Sequence, residues 1–235
     1  MLYSLRGVLL LLVCSMALGQ TQDPGEAGAG APDAKAPPEV ALPVVTFTLD
    51  FPQSQPEHYS IRLPFKGAGH YQSTGRISPE SDDTDSFEFD FALSKEMREK
   101  VFRLAEGAGH FRRDLDSHQK NLAFTGKKTL TYKDERVAGE ATFNYSSDPS
   151  ARDLTELFQS LSATLEFGHR LDYDQRYQKL ALDEELKRMQ AMAHDNLLVE
   201  VAAIQPILEK IVADHSVVNI ARARAQQLLG NLKSR

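Results

Sequence analysis

The feature that most constrains this chain is a change of hydrophobic period at Asp148-Pro149. Before that dipeptide, apolar residues alternate with polar ones over short runs. After it they recur every third or fourth position. Alternation suits half-buried strands, and the longer period suits amphipathic helices. The pattern therefore predicts an α+β chain: an antiparallel sheet with one packed helix over residues 44–147, then a helical region over residues 148–235.

Val45, Phe47 and Leu49 alternate with Thr46, Thr48 and Asp50, which predicts the first strand. Pro52 and Pro56 bracket a turn, because proline cannot donate to a central ladder. Tyr59, Ile61 and Leu63 line a second strand, and Gly67-Ala68-Gly69 leads into a third around His70. Residues 81–85 are acidic and read as a loop. Phe87, Phe89 and Phe91 then alternate with Glu88 and Asp90, giving one aromatic face and one acidic face. Short connections of this kind fit a meander. Ser94 is placed to cap a helix carrying Met97, Val101, Leu104 and Ala105, with Gly107 as its left-handed stop. Residues 129–132 and 141–145 read as a hairpin with residues 133–139 as its loop.

Asp148 as cap and Pro149 in the first turn predict a long helix with the stripe Leu154, Leu157, Phe158, Leu161 and Leu165. Gly168 is expected to break or kink it. The stripe continues through Tyr173, Tyr177, Leu180, Leu186 and Met189. Two more helices are predicted, one with Val201, Ile204, Ile207, Leu208 and Ile211. The other carries Val217, Ile220, Ala221, Ala225, Leu228 and Leu229, with Asp214 as its cap.

At the N-terminus, Arg6, the apolar run 8–13 and Ala17-Leu18-Gly19 have the layout of a cleavable signal peptide over residues 1–19. The apolar run is too short for a permanent span of the ~30 Å hydrocarbon layer. Cleavage after Gly19 removes Cys14, the sole cysteine, leaving a mature chain with neither a disulfide nor a thiol nucleophile. Residues 20–43, rich in Pro, Gly and Ala, read as a disordered spacer. The expected location is periplasmic or secreted.

With 27 Lys+Arg against 33 Asp+Glu and a net charge of -6, the chain lacks the basic stripe of a nucleic-acid binder. Gly-x-Ser-x-Gly, His-Glu-x-x-His and the Walker loop do not occur, and Gly67-Ala68-Gly69 lacks the third glycine of a dinucleotide turn. His110, Asp114, Asp116 and His118 are suitable metal-ligand types, but their spacing is not that of a helical ligand pair and Arg112-Arg113 oppose a cation. Asp82, Asp83, Asp85, Glu88 and Asp90 lack the internal glycine of a calcium loop. Arg170, Tyr173, Arg176, Tyr177 and Lys179 mix cations with aromatics. Asp172, Asp174 and Asp183 among them favour helical ion pairing with the tyrosines packed inward. Asn144-Tyr145-Ser146 matches a glycosylation acceptor placed on a strand.

Residues 200–229, with Pro206, Asp214, Val217, Arg222, Ala225 and Leu228-Leu229, resemble one HEAT-type helical hairpin, and a lone copy implies a cap rather than a solenoid. Residues 58–165 are similar to an uncharacterised family of bacterial exported proteins. The resemblance is carried by His58-Tyr59-Ser60-Ile61, Gly69-His70-Tyr71, the helix near 94–104, the strand 129–132 and the helix 153–161. It implies a shared fold and no activity. No catalytic, cofactor or metal residue is assigned. The expected function is a non-catalytic exported interaction or envelope adaptor module, with a protein partner on the sheet edge or the C-terminal helices. The alternative is a secreted hydrolase using Asp114, Asp116 or Glu88.

Overall fold

The computed structural model describes residues 42–52, 54–76 and 84–233. The expected signal peptide, nearly all of the spacer, and Asp82 and Asp83 lie outside the described residues. Six strands form one antiparallel sheet: β1 (Val44–Asp50), β2 (His58–Pro64), β3 (Gly69–Arg76), β4 (Thr84–Phe91), β5 (Lys127–Lys133) and β6 (Ala138–Phe143). Their order is β4-β3-β2-β1-β5-β6. The first four strands make the expected meander, and the β5–β6 hairpin returns to pair with the free side of β1. Five helices accompany the sheet among the described residues: α1 (Lys95–Gly107), α2 (Pro149–Tyr177), α3 (Leu182–His194), α4 (Gln205–Ala213) and α5 (Asn219–Lys233). The chain is α+β, with its helices concentrated in the C-terminal half.

Strict alternation puts one face of the sheet inside. Register aligns Ala141, Leu130, Phe47, Ile61, Tyr71 and Phe89 in a row crossing every strand. All are buried except the last, which is half-buried on the edge strand. Thr46, Thr48, Thr129 and Thr131 project from the opposite, wetter face. An antiparallel sheet accommodates this because only one side needs a covering layer.

That layer is α1 and the first half of α2. Ser94 caps α1, its hydroxyl accepting from Met97 N at 3.2 Å. Gly107, however, remains helical, and the left-handed glycine is Gly109, with φ 68°. Gly107 serves a different need: a Cβ there would lie 2.5 Å from Ser150 Oγ, so the residue permits close approach of α1 to α2. The β5–β6 loop is shorter than expected. Asp134 tightens it by accepting from Arg136 N at 2.7 Å and Val137 N at 2.6 Å, which lets β6 begin at Ala138.

Asp148 caps α2 as expected, accepting from Ala151 N at 2.9 Å, with Pro149 in the first turn. The helix then continues through Gly168 without a break, over about 43 Å at 1.5 Å per residue. A Cβ on Gly168 would lie 2.6 Å from Ile204 Cγ2. Close packing of the 3-10 turn Val201–Ile204 on α2 outweighs the conformational cost of glycine in a helix. Gly168→Val is expected to lower stability by about 2 kcal/mol through overpacking, as read from the urea midpoint.

Leu180 departs from the expected stripe. It is 84% exposed in a tight turn between α2 and α3, in which Ala181 N donates to Gln178 O at 2.7 Å. Asp214 does not cap α5. It ends α4 and organises the following turn, accepting from Ser216 N at 2.9 Å, and α5 starts only at Asn219. Lys179 Nζ, 2.7 Å away, and Gln175 Nε2, at 2.9 Å, tie the same carboxylate to the end of α2. The Lys179 ammonium and the Ser216 donors hold the Asp214 pKa well below the usual carboxylate range. Ile220, expected on an apolar face, is exposed, whereas Val217, Ala221, Ala225, Leu228 and Leu229 are buried.

One hydrophobic core joins the inner sheet face to the helices. At its centre Phe47 of β1 stacks on Phe158 of α2, with centroids 5.2 Å apart and planes 2° from parallel. Among the described residues, no helix is long and apolar enough to cross a membrane.

Candidate functional site

The acidic residues singled out by the sequence lie near opposite edges of the sheet. Asp116 bridges to Ser146, just beyond β6, whereas Glu88 and Asp90 stand on β4. Five strand spacings separate those edges, or about 24 Å. Paired-carboxylate hydrolysis needs its acids within about 10 Å of one another, so Glu88 shares no cleft with Asp114 or Asp116.

Asp114, Asp116 and His118 form an exposed knot. His118 Nε2 is 2.6 Å from Asp114 Oδ2, and Asp116 accepts from His118 N at 2.6 Å and from Asn144 N at 3.1 Å. His110 does not join them; its ring packs on Tyr132 with centroids 4.3 Å apart. Among the described residues, no three metal-ligating side chains are grouped to hold an ion. The Asp114 hydrogen bond raises the pKa of His118, and the same bond lowers that of Asp114. His118 is therefore expected to titrate above its ordinary value of 6.5 in an NMR titration, and Asp114→Asn is expected to return it toward that value. An unchanged His118 titration would remove the pairing. Asn144 lies just past β6 rather than on a strand. Its side chain accepts from Thr125 N at 2.9 Å and donates to Ala123 O at 3.0 Å.

A polar cluster that sequence reasoning missed is buried between β3 and α2. Glu166 Oε1 accepts from the Tyr71 hydroxyl and the Ser73 hydroxyl, each at 2.7 Å. Tyr71 OH is also 3.0 Å from Ser162 Oγ. His169 lies 3.7 Å from Glu166 Oε2 through Nδ1 and 3.3 Å from Asp85 Oδ2 through Nε2. Burial opposes ionisation of Glu166, but His169, Tyr71 and Ser73 outweigh it and lower the pKa. Burial, reinforced by that carboxylate, raises the Tyr71 phenol well above its usual range. Among the described residues, no buried side-chain polar atom lacks a partner, so the cluster reads as a fastener between layers.

His169 also links this cluster to the surface. Its ring stacks on Phe87 of β4, with centroids 4.1 Å apart and planes 8° from parallel, and Phe87 stacks on Phe89 at 5.8 Å. Thr84 and Asp85, expected in a loop, belong to β4. Asp85 faces inward to His169, whereas Glu88 and Asp90 face out as the alternation predicts. Beside these phenylalanines lies an open groove of about 720 Å³. Its far wall is the last part of α2, with Tyr173 and Tyr177, and the start of α4, with Pro206 and Ile207.

The cations of this stretch are paired, but only Arg176 pairs along its own helix as expected, whereas Arg170 and Lys179, just past α2, reach carboxylates on later elements. Arg170 Nε is 2.5 Å from buried Glu185, Arg176 Nη2 is 2.5 Å from Asp172, and Lys179 is held by Asp214. The tyrosines are not packed inward. Tyr173 is 49% exposed and Tyr177 70% exposed, with rings 5.1 Å apart. Asp172 lies between Arg176 and Lys210, so one carboxylate is shared by the two cations of this rim.

Among the described residues, β4 pairs only with β3 and is the terminal strand on this side, so its outer backbone groups have no strand partner there. The opposite edge is different. The 3-10 turn Gly109–Phe111 packs so closely on β6 that a Cβ on Gly139 would collide with His110 O, and the segment around Asp116 bridges to Ser146 beyond it. An aromatic groove beside an open strand edge can both bury side chains and satisfy a backbone. No known family matches this chain, and no curated protein shows significant sequence similarity to it.

Proposed function

We propose that this is a non-catalytic exported protein, periplasmic or secreted, that binds another protein in the groove beside β4. The observation that carries the reading is the β4 edge, unpaired among the described residues and flanked by Phe87, Phe89, Tyr173 and Ile207. Partly exposed aromatics beside backbone groups that lack a strand partner are the usual makings of a protein-binding edge. Support for export comes from Arg6, the apolar run 8–13 and Ala17-Leu18-Gly19.

The test is photo-crosslinking in intact cells, with benzoylphenylalanine in place of Tyr173 or of Leu180, which is exposed but lies outside the groove. A discrete adduct from position 173, absent from position 180 and abolished by Phe87→Asp, is the expected result. Adducts of equal yield from both positions, or none from 173 in a folded chain, would overturn the reading.

A further inference from the structure

We infer that the occupant of the groove is an extended strand alternating apolar and basic side chains, added to β4 as a new edge of the sheet. The inference rests on the reading of the groove as a protein-binding site and names the chemistry of what enters it.

Three observations lead there. First, β4 offers a backbone edge over Thr84–Phe91 that no strand among the described residues pairs, and which a helix cannot satisfy but a strand can. Second, a strand laid about 4.8 Å outside β4 would direct every second side chain toward the helical layer. The groove lies at that level, between Phe87 and Phe89 on one side and Tyr173 and Ile207 on the other. Those alternate side chains are therefore apolar. Third, the intervening side chains would share the outer face with Glu88 and Asp90. On β3, Glu88 faces Gln72, which donates to it at 3.2 Å, and Asp90 faces His70, whose Nδ1 is 2.7 Å away. Among the described residues, neither carboxylate pairs with a lysine or arginine. Cross-strand partners of opposite charge are favourable and like charges opposed are not, so the added strand places cations there.

The same charges disfavour a second copy of this chain paired in the registers centred on Phe89 or on Glu88. Two-fold antiparallel pairing of β4 with itself about Phe89 would set Glu88 directly against Asp90, twice over. Acidic residues on an edge strand discourage self-association while leaving the edge open to a basic strand.

The test uses three blocked synthetic octapeptides with the mature chain: one alternating valine and lysine, one alternating valine and glutamate, and a valine–lysine peptide with a central proline. Binding is read by fluorescence anisotropy and its location by amide hydrogen exchange. The valine–lysine peptide is expected to slow exchange across Ser86–Asp90. It is expected to bind about tenfold more tightly than the valine–glutamate peptide, with Glu88→Gln/Asp90→Asn erasing most of that difference. The proline peptide is expected to lose binding, because it cannot complete the ladder. Equal affinity for the acidic peptide, or no protection of β4, would overturn the inference. The crosslink from position 173 keeps the two claims separable: if it persists while the peptides fail, the groove binds a protein that is not a basic strand, and if it also fails, both claims fall.

Discussion

Phe158→Ala is expected to lower the stability of the folded chain by about 4 kcal/mol, the largest effect of any single truncation considered. Phe158 is fully buried and lies flat on Phe47, at the point where α2 crosses the middle of the sheet. Its removal forfeits the transfer free energy of an aromatic side chain and the stacking contact. It also leaves a cavity walled by strands that are held in register on both sides and cannot collapse into it. Phe158→Leu keeps most of the volume and is expected to cost about 1.5 kcal/mol. The chain contains no tryptophan, so urea unfolding followed by circular dichroism is the suitable measurement. Similar losses for the two variants would show that the cavity term is small and the centre of the core deformable.

Glu166→Ala is expected to cost about 3 kcal/mol, because it leaves the Tyr71 and Ser73 hydroxyls without their acceptor inside the protein. Glu166→Gln keeps an acceptor oxygen but loses the charge, and about 1–2 kcal/mol is expected. The carboxylate also gives the effect a direction in pH. Its pKa in the folded chain lies below its ordinary 4.5. The ionised group therefore contributes stability that is fully present above pH 4.5 and is lost as pH falls through the depressed value. The stability gap between the wild-type chain and Glu166→Gln should accordingly be widest near neutrality and shrink on acidification below that pH. A gap that is constant from pH 7 to pH 3 would mean that the charge of Glu166 contributes nothing.

How much of this was legible in the sequence depended on whether the signal was local. Alternation at Val45-Phe47-Leu49 and Phe87-Phe89-Phe91 marked strands and their buried faces, and Ser94 and Asp148 marked helix starts, because each is set by its immediate neighbours. Gly168 misled because its helical cost is local, whereas its benefit, the approach of Ile204, comes from a distant segment. Asp214 misled for a similar reason, since Lys179 and Gln175 hold it at the end of α2 rather than at the start of α5.

Ser162, Glu166 and His169 follow one another at helical spacing beside the stripe of Leu161 and Leu165. That line resembles a solvent-facing one until Tyr71 and Ser73 are known to lie against it. The groove was half visible. Phe87 and Phe89 announced an aromatic face, but the edge position of β4 follows from the β1–β5 pairing, which no local pattern encodes. Tyr173 and Tyr177 fitted an inward stripe by spacing, yet α2 outruns the sheet and leaves them exposed.

The central claim, that the open edge of β4 is where a protein binds, is tested most directly by amide hydrogen exchange over Ser86–Asp90. It would be followed in the purified chain alone and in complex with the partner captured from position 173. The expected result is rapid exchange of the outward-facing amides in the free chain and slowing by about tenfold or more in the complex. Exchange at β4 that is unchanged by the partner, with protection appearing on other elements, would contradict it.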